Sequence, residues 1–228
     1  MKIKGIIFDL DGVICFTDEL HYLAWKKLSD RLGIYFDKEI NNRLRGVSRM
    51  QSLEIILERS KNSYTQEEKE LFAVEKNEYY VESLKLMSEK DVEEDVVATL
   101  KQLKSNGVKI AIGSSSKNAK IILKRIGLID MFDAISDGNN ITRSKPDPEV
   151  FIKAAEYLGI SAKDCLVVED ATAGIDAGVA GGFKTAGLGE ASKYDKTLYP
   201  HAHLKCNECG NVLDVCSVDL IEILNNIC

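Results

Sequence analysis

Two pairs of acidic residues in this sequence each follow a short apolar run. Asp9 and Asp11 come directly after the first run of the chain, and Glu169 and Asp170 come directly after a much later one. If both runs are parallel strands of one sheet, their carboxyl ends lie at the edge where open α/β sheets bind ligands. Four carboxylates gathered there repel one another unless a cation lies among them. Hard oxygen ligands of this kind favour Mg²⁺ over zinc or copper.

Polar residues that suit a phosphoryl group follow two further apolar runs. One run is followed by Ser114, Ser115, Ser116, Lys117 and Asn118. Another is followed by a long loop that carries Lys145. A hydroxyl and a fixed positive charge are groups that hold a phosphoryl group. Together with Mg²⁺ and a carboxylate nucleophile, they favour phosphoryl transfer, which depends mainly on positioning and charge neutralisation.

Each of these features is also compatible with an ordinary structural role. The first acidic pair is typical of a turn before Gly12, and the second pair suits the dipole of a following helix. Ser114–Ser116 is expected to cap a helix, which is compatible with phosphate binding at the same helix end. Lys145 before Pro146 is typical of a solvated loop lysine. The catalytic interpretation is favoured because all these residues would otherwise fall on one sheet edge by accident.

The elements that would position these residues alternate between strands and helices after Asp91. Short strands between helices of about ten to fifteen residues indicate a parallel sheet covered by helices on both faces. The predicted strands are 3–8, Lys109–Gly113, a short one near Ala134, Cys165–Val168 and Lys184–Leu188. The predicted helices include one through Val96, Leu100 and Leu103, then Ser116–Ile126, Pro148–Leu158, Ala171–Ala180 and Val218–Ile227.

The stretch from Asp18 to about Met87 has apolar residues at helical spacing and no convincing strand. It separates the first strand from the others, and a lone strand cannot cover its own edges and faces. The sequence therefore predicts an α/β fold with a doubly wound, mostly parallel, Rossmann-like sheet core. An all-α helical cap domain is inserted into it. The predicted core comprises residues 1–15 and 90–228, and the predicted cap comprises residues 16–89.

The composition argues against several other classes of protein. The 228 residues carry 30 Lys and Arg against 36 Asp and Glu, a net charge of −6, without the basic excess that nucleic acids select. The chain has no apolar run of about 18 residues that could span a bilayer. Asp9 interrupts the first apolar run too early for a signal peptide. We therefore expect a cytoplasmic protein, a monomer, with no nucleic-acid or membrane partner.

The six cysteines are dispersed, in a chain too large to need disulfides for its stability. They are Cys15, Cys165, Cys206, Cys209, Cys216 and Cys228. His201, His203, Cys206 and Cys209 form one group with spacing that suits zinc. A single Cys-x-x-Cys lacks the second ligand pair typical of structural zinc sites. Free thiols are the favoured interpretation, and zinc is the alternative.

Four motifs follow one another along the chain: Asp9-Leu10-Asp11-Gly12-Val13, a hydroxyl after the second sheet strand, Lys145-Pro146 and Glu169-Asp170. In this order they resemble the four motifs of the haloacid-dehalogenase superfamily of phosphotransferases. The resemblance implies that Asp9 is the nucleophile and that Ser114 and Lys145 bind the transferring phosphoryl. It also implies that Asp11 is the acid/base of a phosphatase or mutase.

The same resemblance implies a Mg²⁺ site. Its ligands would be the carboxylate of Asp9, the backbone carbonyl of Asp11 and the carboxylate of Asp170, with Glu169 acting directly or through a neighbour.

The predicted cap resembles that of the β-phosphoglucomutases, a family within this superfamily. The resemblance rests on Thr17, His21, Ala24-Trp25, Leu44-Arg45-Gly46-Val47-Ser48-Arg49, Ser52-Leu53 and Lys76-Asn77. Arg45 stands where that family has Lys, and Ser115 stands where Ala is more usual; both changes keep charge or size. The cysteine-rich segment after Pro200 lies outside the family pattern.

This second resemblance implies a mutase that interconverts β-D-glucose 1-phosphate and glucose 6-phosphate. The reaction would pass through glucose 1,6-bisphosphate and an aspartyl-phosphate enzyme. Arg49, with Ser116 and Asn118, would hold the second phosphate, and His21 and Lys76 would make contacts when the cap closes, with His21 then orienting Asp11. The implied substrate-binding residues are Thr17, His21, Trp25, Leu44, Arg45, Gly46, Val47, Ser48, Arg49, Lys76, Ser115, Ser116, Lys117 and Asn118. Two of these residues have alternative structural roles: Trp25 could be a core residue, and His21 could be a partly buried helix residue.

Two other functions stay open at this point. A sugar-phosphate phosphatase of the same superfamily would use water in place of the sugar hydroxyl, but it does not need Arg49 and Lys76 to grip a second phosphate. A non-catalytic phosphosugar sensor could keep the fold, but it would have no need of the complete acidic set.

Overall fold

The computed structural model describes residues 3–44 and 47–188, together with two short strands at 202–205 and 212–215. The main sheet contains β1 (Gly5–Phe8), β2 (Lys109–Gly113), β3 (Ala134–Ser136), β4 (Cys165–Glu169) and β5 (Lys184–Gly187). These five strands are parallel and lie in the order β3-β2-β1-β4-β5. The first strand therefore lies at the centre, where Ile6 pairs with Ile110 on one side and Leu166 on the other.

Helices connect the strands and fill the stretch between β1 and β2. They are α1 (Asp18–Leu32), α2 (Lys38–Asn42), α3 (Arg49–Leu57), α4 (Gln66–Leu84), α5 (Glu94–Ser105), α6 (Ala119–Arg125), α7 (Glu149–Leu158) and α8 (Thr172–Ala180). Short 3₁₀ turns lie at Glu89–Asp91 and Ala162–Asp164. None of the helices within the described part of the chain is long and apolar enough to cross a bilayer.

The sheet is buried on both faces, which explains why its strands are continuous apolar runs. Alternate side chains of β1 point to opposite faces, so Ile6 and Phe8 pack with residues of α5 and α6. Ile7 packs on the other face, against Phe151 of α7 and Ala177 of α8. This arrangement confirms the predicted doubly wound α/β architecture.

The first four helices, which we call the cap helices, surround a second hydrophobic cluster that includes Trp25, Phe36 and Leu53. None of the described residues between 16 and 89 lies in a strand, as predicted. The base of the cap helices joins the core of the sheet, because Tyr80 and Leu84 of α4 are buried in the cluster that contains Ile6 and Phe8. The orientation of the cap helices on the sheet therefore depends on this shared apolar contact.

The loop before α6 differs from the prediction, which began this helix at Ser116 with Ser114–Ser116 as its cap. The helix begins at Ala119, and Asn118 is its N-cap residue. The intervening backbone is held by serine hydroxyls instead: Ser114 Oγ accepts from Ser116 N at 3.1 Å, and Ser116 Oγ accepts from Asn118 N at 3.2 Å. Serine side chains compete with helical hydrogen bonds in this way and keep the backbone outside the helix.

The segment after β5 contains an antiparallel pair of strands, β6 (Ala202–Lys205) and β7 (Val212–Val215), which was not predicted. Their four-residue length gives little periodicity, so the sequence offered no strong strand signal. The predicted helix Val218–Ile227 and the zinc-ligand candidates His201, Cys206 and Cys209 lie outside the described residues, and only the backbone of His203 is described. The two cysteines in the described core, Cys15 and Cys165, are free thiols.

Candidate active site

The two acidic pairs meet at the carboxyl edge of the sheet because β1 and β4 are adjacent and parallel. Phe8 pairs with Val168, and the amide N–H of Asp9 donates to the carbonyl of Val168 at 2.9 Å. One carboxylate oxygen from each of Asp9, Glu169 and Asp170 lies within 4.8 Å of the others. With Asp11, these residues form what we call the core acidic cluster.

Lys145 lies inside the core acidic cluster and pairs with two of its members. Its Nζ is 2.6 Å from Asp9 Oδ1 and 2.6 Å from Glu169 Oε1, and its side chain is only 7% exposed. Burial by itself lowers the pKa of Lys145, but the charges of Asp9 and Glu169 outweigh it and raise that pKa. Lys145 is therefore a fixed cation rather than the solvated loop lysine of the alternative interpretation.

One lysine does not neutralise the remaining carboxylates. Burial raises the pKa of Asp9 to about 6, although Lys145 opposes the shift. Burial and the charge of Asp9 raise the pKa of Asp170 to about 6. In both groups the effect of burial exceeds that of the positive charge of Lys145, so a further cation would stabilise their ionised forms.

These carboxylates fit a hard divalent cation in their number, chemistry and spacing. Glu169 is the least available of them as a direct ligand, because Oε1 bonds Lys145 and Oε2 accepts from Ala171 N at 2.6 Å.

Two glycines allow the backbone to approach the carboxylates closely. Gly12 has φ of 88°, and a Cβ at this position would collide with Asp170 Oδ2. A Cβ on Gly174 of α8 would collide with Glu169 Oε1. Side chains at these positions would displace the acids that the turn after β1 and the start of α8 hold in place.

Asp11 lies in the turn that leads from β1 to the cap helices, and the hydroxyl of Thr17 donates to its Oδ1. Burial, followed by the charge of Asp9, raises the pKa of Asp11 to about 7. A carboxyl group with this pKa exchanges protons readily near neutral pH. Thr17 is 1% exposed, and its hydroxyl donates to Asp11. In this structure Thr17 therefore supports the side chain of Asp11.

The cap helices carry a group of basic side chains, His21, Arg49 and Lys76, which we call the cap basic cluster. His21 Nδ1 is 2.8 Å from Lys76 Nζ, and the imidazole ring stacks on Tyr80 with centroids 4.0 Å apart. Lys76 is 2% exposed and also lies 4.9 Å from the ring centre of Trp25. No carboxylate of the described residues forms an ion pair with Lys76 or Arg49.

The cap basic cluster disfavours its own positive charge. Burial and the charge of Arg49 lower the pKa of Lys76 to about 7. Burial, then the charges of Lys76 and Arg49, lower the pKa of His21 well below its usual value, which favours a neutral imidazole. Burial also lowers the pKa of Arg49. An anion placed among these side chains would relieve the cost of the buried charge.

Asn77 joins the cap basic cluster to the sheet core. Its Oδ1 accepts from Arg49 Nη2 at 2.8 Å and from Asn118 Nδ2 at 2.9 Å. The candidate site residues of the sequence analysis did not include Asn77. The only sequence signal for Asn77 was its place in the Lys76-Asn77 motif, which carries part of the family resemblance. A single polar residue on a helix has no distinctive pattern that would predict its partners.

Three further candidates lie in loops next to a helix or a strand. Ser114 is 2% exposed and accepts from Ser116 N, whereas Lys117 is exposed. Ser48 caps α3 by accepting from Gln51 N, which fixes the helix that begins with Arg49.

The remaining candidates differ in their burial. Trp25 and Leu44 are buried in the cluster of the cap helices, which agrees with the core alternative for Trp25. Ser115 Oγ is buried without a hydrogen-bond partner among the described residues, and Val47 is 38% exposed. Arg45 and Gly46 lie outside the described residues.

Among the described residues no hydrogen bond joins His21 to Asp11, and His21 Nδ1 lies 2.8 Å from Lys76 Nζ. The predicted orientation of Asp11 by His21 on cap closure therefore stays a prediction.

The sequence and fold are similar to those of known phosphotransferases. Over 189 residues the chain is 42% identical to β-phosphoglucomutase of Bacillus subtilis (strain 168), covering 82% of this chain and 84% of that protein. It is 30% identical over 182 residues to a fructose-1-phosphate phosphatase of Escherichia coli (strain K12), covering 79% of this chain and 94% of that protein. The crystal structure of β-phosphoglucomutase from Clostridium difficile superposes with a TM-score of 0.78 at 41% identity, covering 83% of this chain and 86% of that one.

The model of haloacid dehalogenase-like hydrolases matches residues 3–182, which include β1, the cap helices and all residues of the core acidic cluster. The match spans most of the chain and agrees with the sheet order and the position of the acids. The chain belongs to the haloacid dehalogenase-like hydrolase family.

Proposed function

We propose that the protein is a phosphosugar mutase that interconverts β-D-glucose 1-phosphate and glucose 6-phosphate. The reaction passes through β-glucose 1,6-bisphosphate and an aspartyl-phosphate enzyme. The observation that carries the proposal is the pair of opposite clusters. In the core, the buried carboxylates of Asp9 and Glu169 surround Lys145; in the cap, the buried Lys76 and the half-buried Arg49 have no carboxylate partner among the described residues. The 42% identity to a β-phosphoglucomutase supports the same reaction.

Asp9 is the nucleophile of the proposed reaction, and it attacks the phosphorus atom of the substrate. Its backbone N–H donates to the carbonyl of Val168, which fixes the main chain of Asp9 at the carboxyl end of β1. Lys145 stabilises the ionised form of Asp9 and adds a positive charge for the transferring phosphoryl. Ser114, at the end of β2, supplies a hydroxyl to the same group.

Asp11 moves the protons. It protonates the leaving sugar oxygen in one half-reaction and accepts a proton from the attacking sugar hydroxyl in the other. Because Thr17 donates to Oδ1, the proton is carried on Oδ2. Its pKa of about 7 suits both directions at neutral pH.

Mg²⁺ is the proposed cofactor, and Asp9, Asp170 and the backbone carbonyl of Asp11 would hold it. When bound, it neutralises charge on the transferring phosphoryl. Glu169 supports the site through Lys145 and Ala171 rather than by direct ligation.

The second phosphate of the bisphosphate binds between Arg49 of the cap basic cluster and Ser116 and Asn118 of the core, and Lys76 adds a second basic group to the cap side of this site. We propose that residues 16–89 act as a cap domain on the core of 1–15 and 90–228. Closure of this cap excludes water, which would otherwise hydrolyse the aspartyl phosphate.

Hexose phosphates are the proposed partners, and we propose a cytoplasmic monomer. Phosphorylated sugars are retained in the cytoplasm because their charge prevents passage through a bilayer.

A sugar-phosphate phosphatase is the second candidate, because the chain is also 30% identical to a fructose-1-phosphate phosphatase. The two functions use the same Asp9 chemistry and differ in whether a sugar hydroxyl or water accepts the phosphoryl group.

The test supplies β-glucose 1-phosphate, Mg²⁺ and a trace of β-glucose 1,6-bisphosphate, and follows glucose 6-phosphate and free phosphate together. A mutase forms glucose 6-phosphate at least about 10-fold faster than phosphate, since its closed cap excludes water. Asp9→Asn should abolish both products because an amide is a poor nucleophile, whereas Asp176→Asn, on the exposed face of α8, should keep wild-type rates. Phosphate as the main product would favour the phosphatase instead.

A further inference from the structure

We propose that Asn77 is a positioning residue that sets the specificity for a second phosphate. Its amide oxygen holds Arg49 of the cap and Asn118 of the core in one arrangement before a substrate binds. This inference rests on the proposed mutase function and assigns a role to a residue that the reaction itself does not require.

The geometry places two donors on one acceptor. Arg49 Nη2 and Asn118 Nδ2 lie 2.8 Å and 2.9 Å from Asn77 Oδ1, so the two nitrogens are neighbours across a single oxygen atom. Asn118 is 6% exposed and its backbone N–H is bound to Ser116 Oγ, which limits its freedom to turn away. A phosphate oxygen is an acceptor of the same kind, so donors that converge on an amide oxygen are also arranged for a phosphate.

The chemical type of residue 77 matters as much as its position. An amide oxygen aligns Arg49 without neutralising it, and the guanidinium has no carboxylate partner among the described residues. A carboxylate at this position would form a charge-assisted pair with Arg49 and would compete with the phosphate. An alanine would remove the acceptor and leave both donors to be ordered by the substrate, at an entropic cost.

The contact also crosses between the two parts of the molecule. Asn77 and Arg49 belong to α4 and α3 of the cap helices, and Asn118 precedes α6 of the sheet core. The bridge therefore brings the cap to the core at the point where the second phosphate would bind. A substrate with one phosphate on a small group has no second phosphate for this bridge to recognise.

The experiment compares Asn77→Asp, Asn77→Ala and the control Asn62→Asp. Asn62 is an exposed cap residue, so its substitution adds the same negative charge away from the bridge. The steady-state constants are measured with β-glucose 1,6-bisphosphate as activator and β-glucose 1-phosphate as substrate. Glucose 6-phosphate binding is measured by calorimetry, and hydrolysis of acetyl phosphate reports the Asp9 chemistry without a second phosphate.

We expect Asn77→Asp to raise the KM for the bisphosphate about 30-fold and to weaken glucose 6-phosphate binding similarly, since it pairs with Arg49. Asn77→Ala should raise the KM about 5-fold, because only alignment is lost. In both variants kcat and acetyl phosphate hydrolysis should stay within about 3-fold of wild type. Asn62→Asp should match wild type.

Two results would overturn the role of Asn77 while leaving the mutase function intact: an unchanged KM in Asn77→Asp, or equal losses of bisphosphate turnover and acetyl phosphate hydrolysis. A wild-type protein that neither forms glucose 6-phosphate nor binds it would overturn the proposed function itself.

Discussion

The core acidic cluster and the cap basic cluster each contain buried ionisable side chains, but they balance their charges in different ways. In the core, Lys145 lies 2.6 Å from Asp9 and 2.6 Å from Glu169, and the remaining acids have raised pKa values. In the cap, Lys76 is 2% exposed and contacts a neutral histidine rather than a carboxylate. Burying a charge without a partner is costly, so each cluster lacks something that a ligand can provide.

The missing charges have opposite signs. The core has an excess of negative charge that a divalent cation can neutralise, and the cap has an excess of positive charge that a phosphate can neutralise. This difference agrees with the proposed function, in which the core acts on the transferring phosphoryl and the cap holds the other phosphate. Substitutions that remove one charge at a time test this comparison.

Lys145→Ala should have the largest effect, because it leaves Asp9 and Glu169 without their shared cation. Breaking a buried ion pair of this kind lowers the free energy of unfolding by about 3–5 kcal/mol. Activity should fall at least about 10²-fold, since the phosphoryl group also loses its fixed positive charge. Urea unfolding and the mutase assay measure the two effects. Lys163→Ala, in an exposed turn, is the control. If the free energy of unfolding of Lys145→Ala were within about 1 kcal/mol of the wild-type value, this result would contradict the pairing.

Arg49→Ala should have a smaller and more selective effect. Removing the cap cation should raise the KM for the bisphosphate about 100-fold, the loss expected for one charge-assisted contact to phosphate. Acetyl phosphate hydrolysis should be nearly unchanged, because the core acidic cluster does not include Arg49. Steady-state kinetics with both phosphoryl donors measure the difference. Arg43→Ala, on the exposed surface of the cap, provides the control. Equal losses with both donors would show that Arg49 acts on the transferring phosphoryl instead.

Mg²⁺ binding should have the smallest of the three effects. It should change the thermal stability of the protein, and the size of this change should depend on pH. The folded-state pKa values of Asp9 and Asp170 are about 6, above the ordinary 3.8. Between about pH 4 and 6 the folded metal-free protein therefore holds more protons than the unfolded chain, so its stability falls as the pH rises.

Mg²⁺ should raise the Tm of the protein by a few degrees at pH 7.5 and by less at pH 5, where protons compete with it for the carboxylates. Thermal unfolding with Mg²⁺ and with a chelator measures the difference. Asp170→Asn should remove most of the metal dependence, and an equal rise in Tm at both pH values would contradict the acidic site.

The features that the sequence predicted correctly depend on local signals. The strands β1, β2 and β4 are short runs of apolar residues bounded by polar ones, and buried parallel strands have this pattern wherever they occur. The proximity of Asp9 and Glu169 could be predicted from the residue order alone, since the carboxyl ends of parallel strands share an edge. The helical insertion was equally visible from the spacing of its apolar residues.

The features that were missed depend on competition between weak local preferences or on contacts distant in sequence. The start of α6 moved to Ala119 because the hydroxyls of Ser114 and Ser116 bind the backbone ahead of it. The strands β6 and β7 are too short for a clear period. Asn77 has two partners that lie 28 and 41 residues away in the sequence, and no pattern around it predicts either.

The amino-acid sequence by itself determined which elements form, which acids end up at the sheet edge, and the family resemblance of their motifs. These properties follow from periodicity and from the geometry of parallel strands. Only the tertiary structure decided how charge is distributed: that Lys145 is shared between Asp9 and Glu169, that Lys76 is buried against His21, and that Asn77 joins cap to core. The physical reason is that electrostatic free energies depend on burial and on distances of a few ångströms, which packing sets and residue order does not reveal.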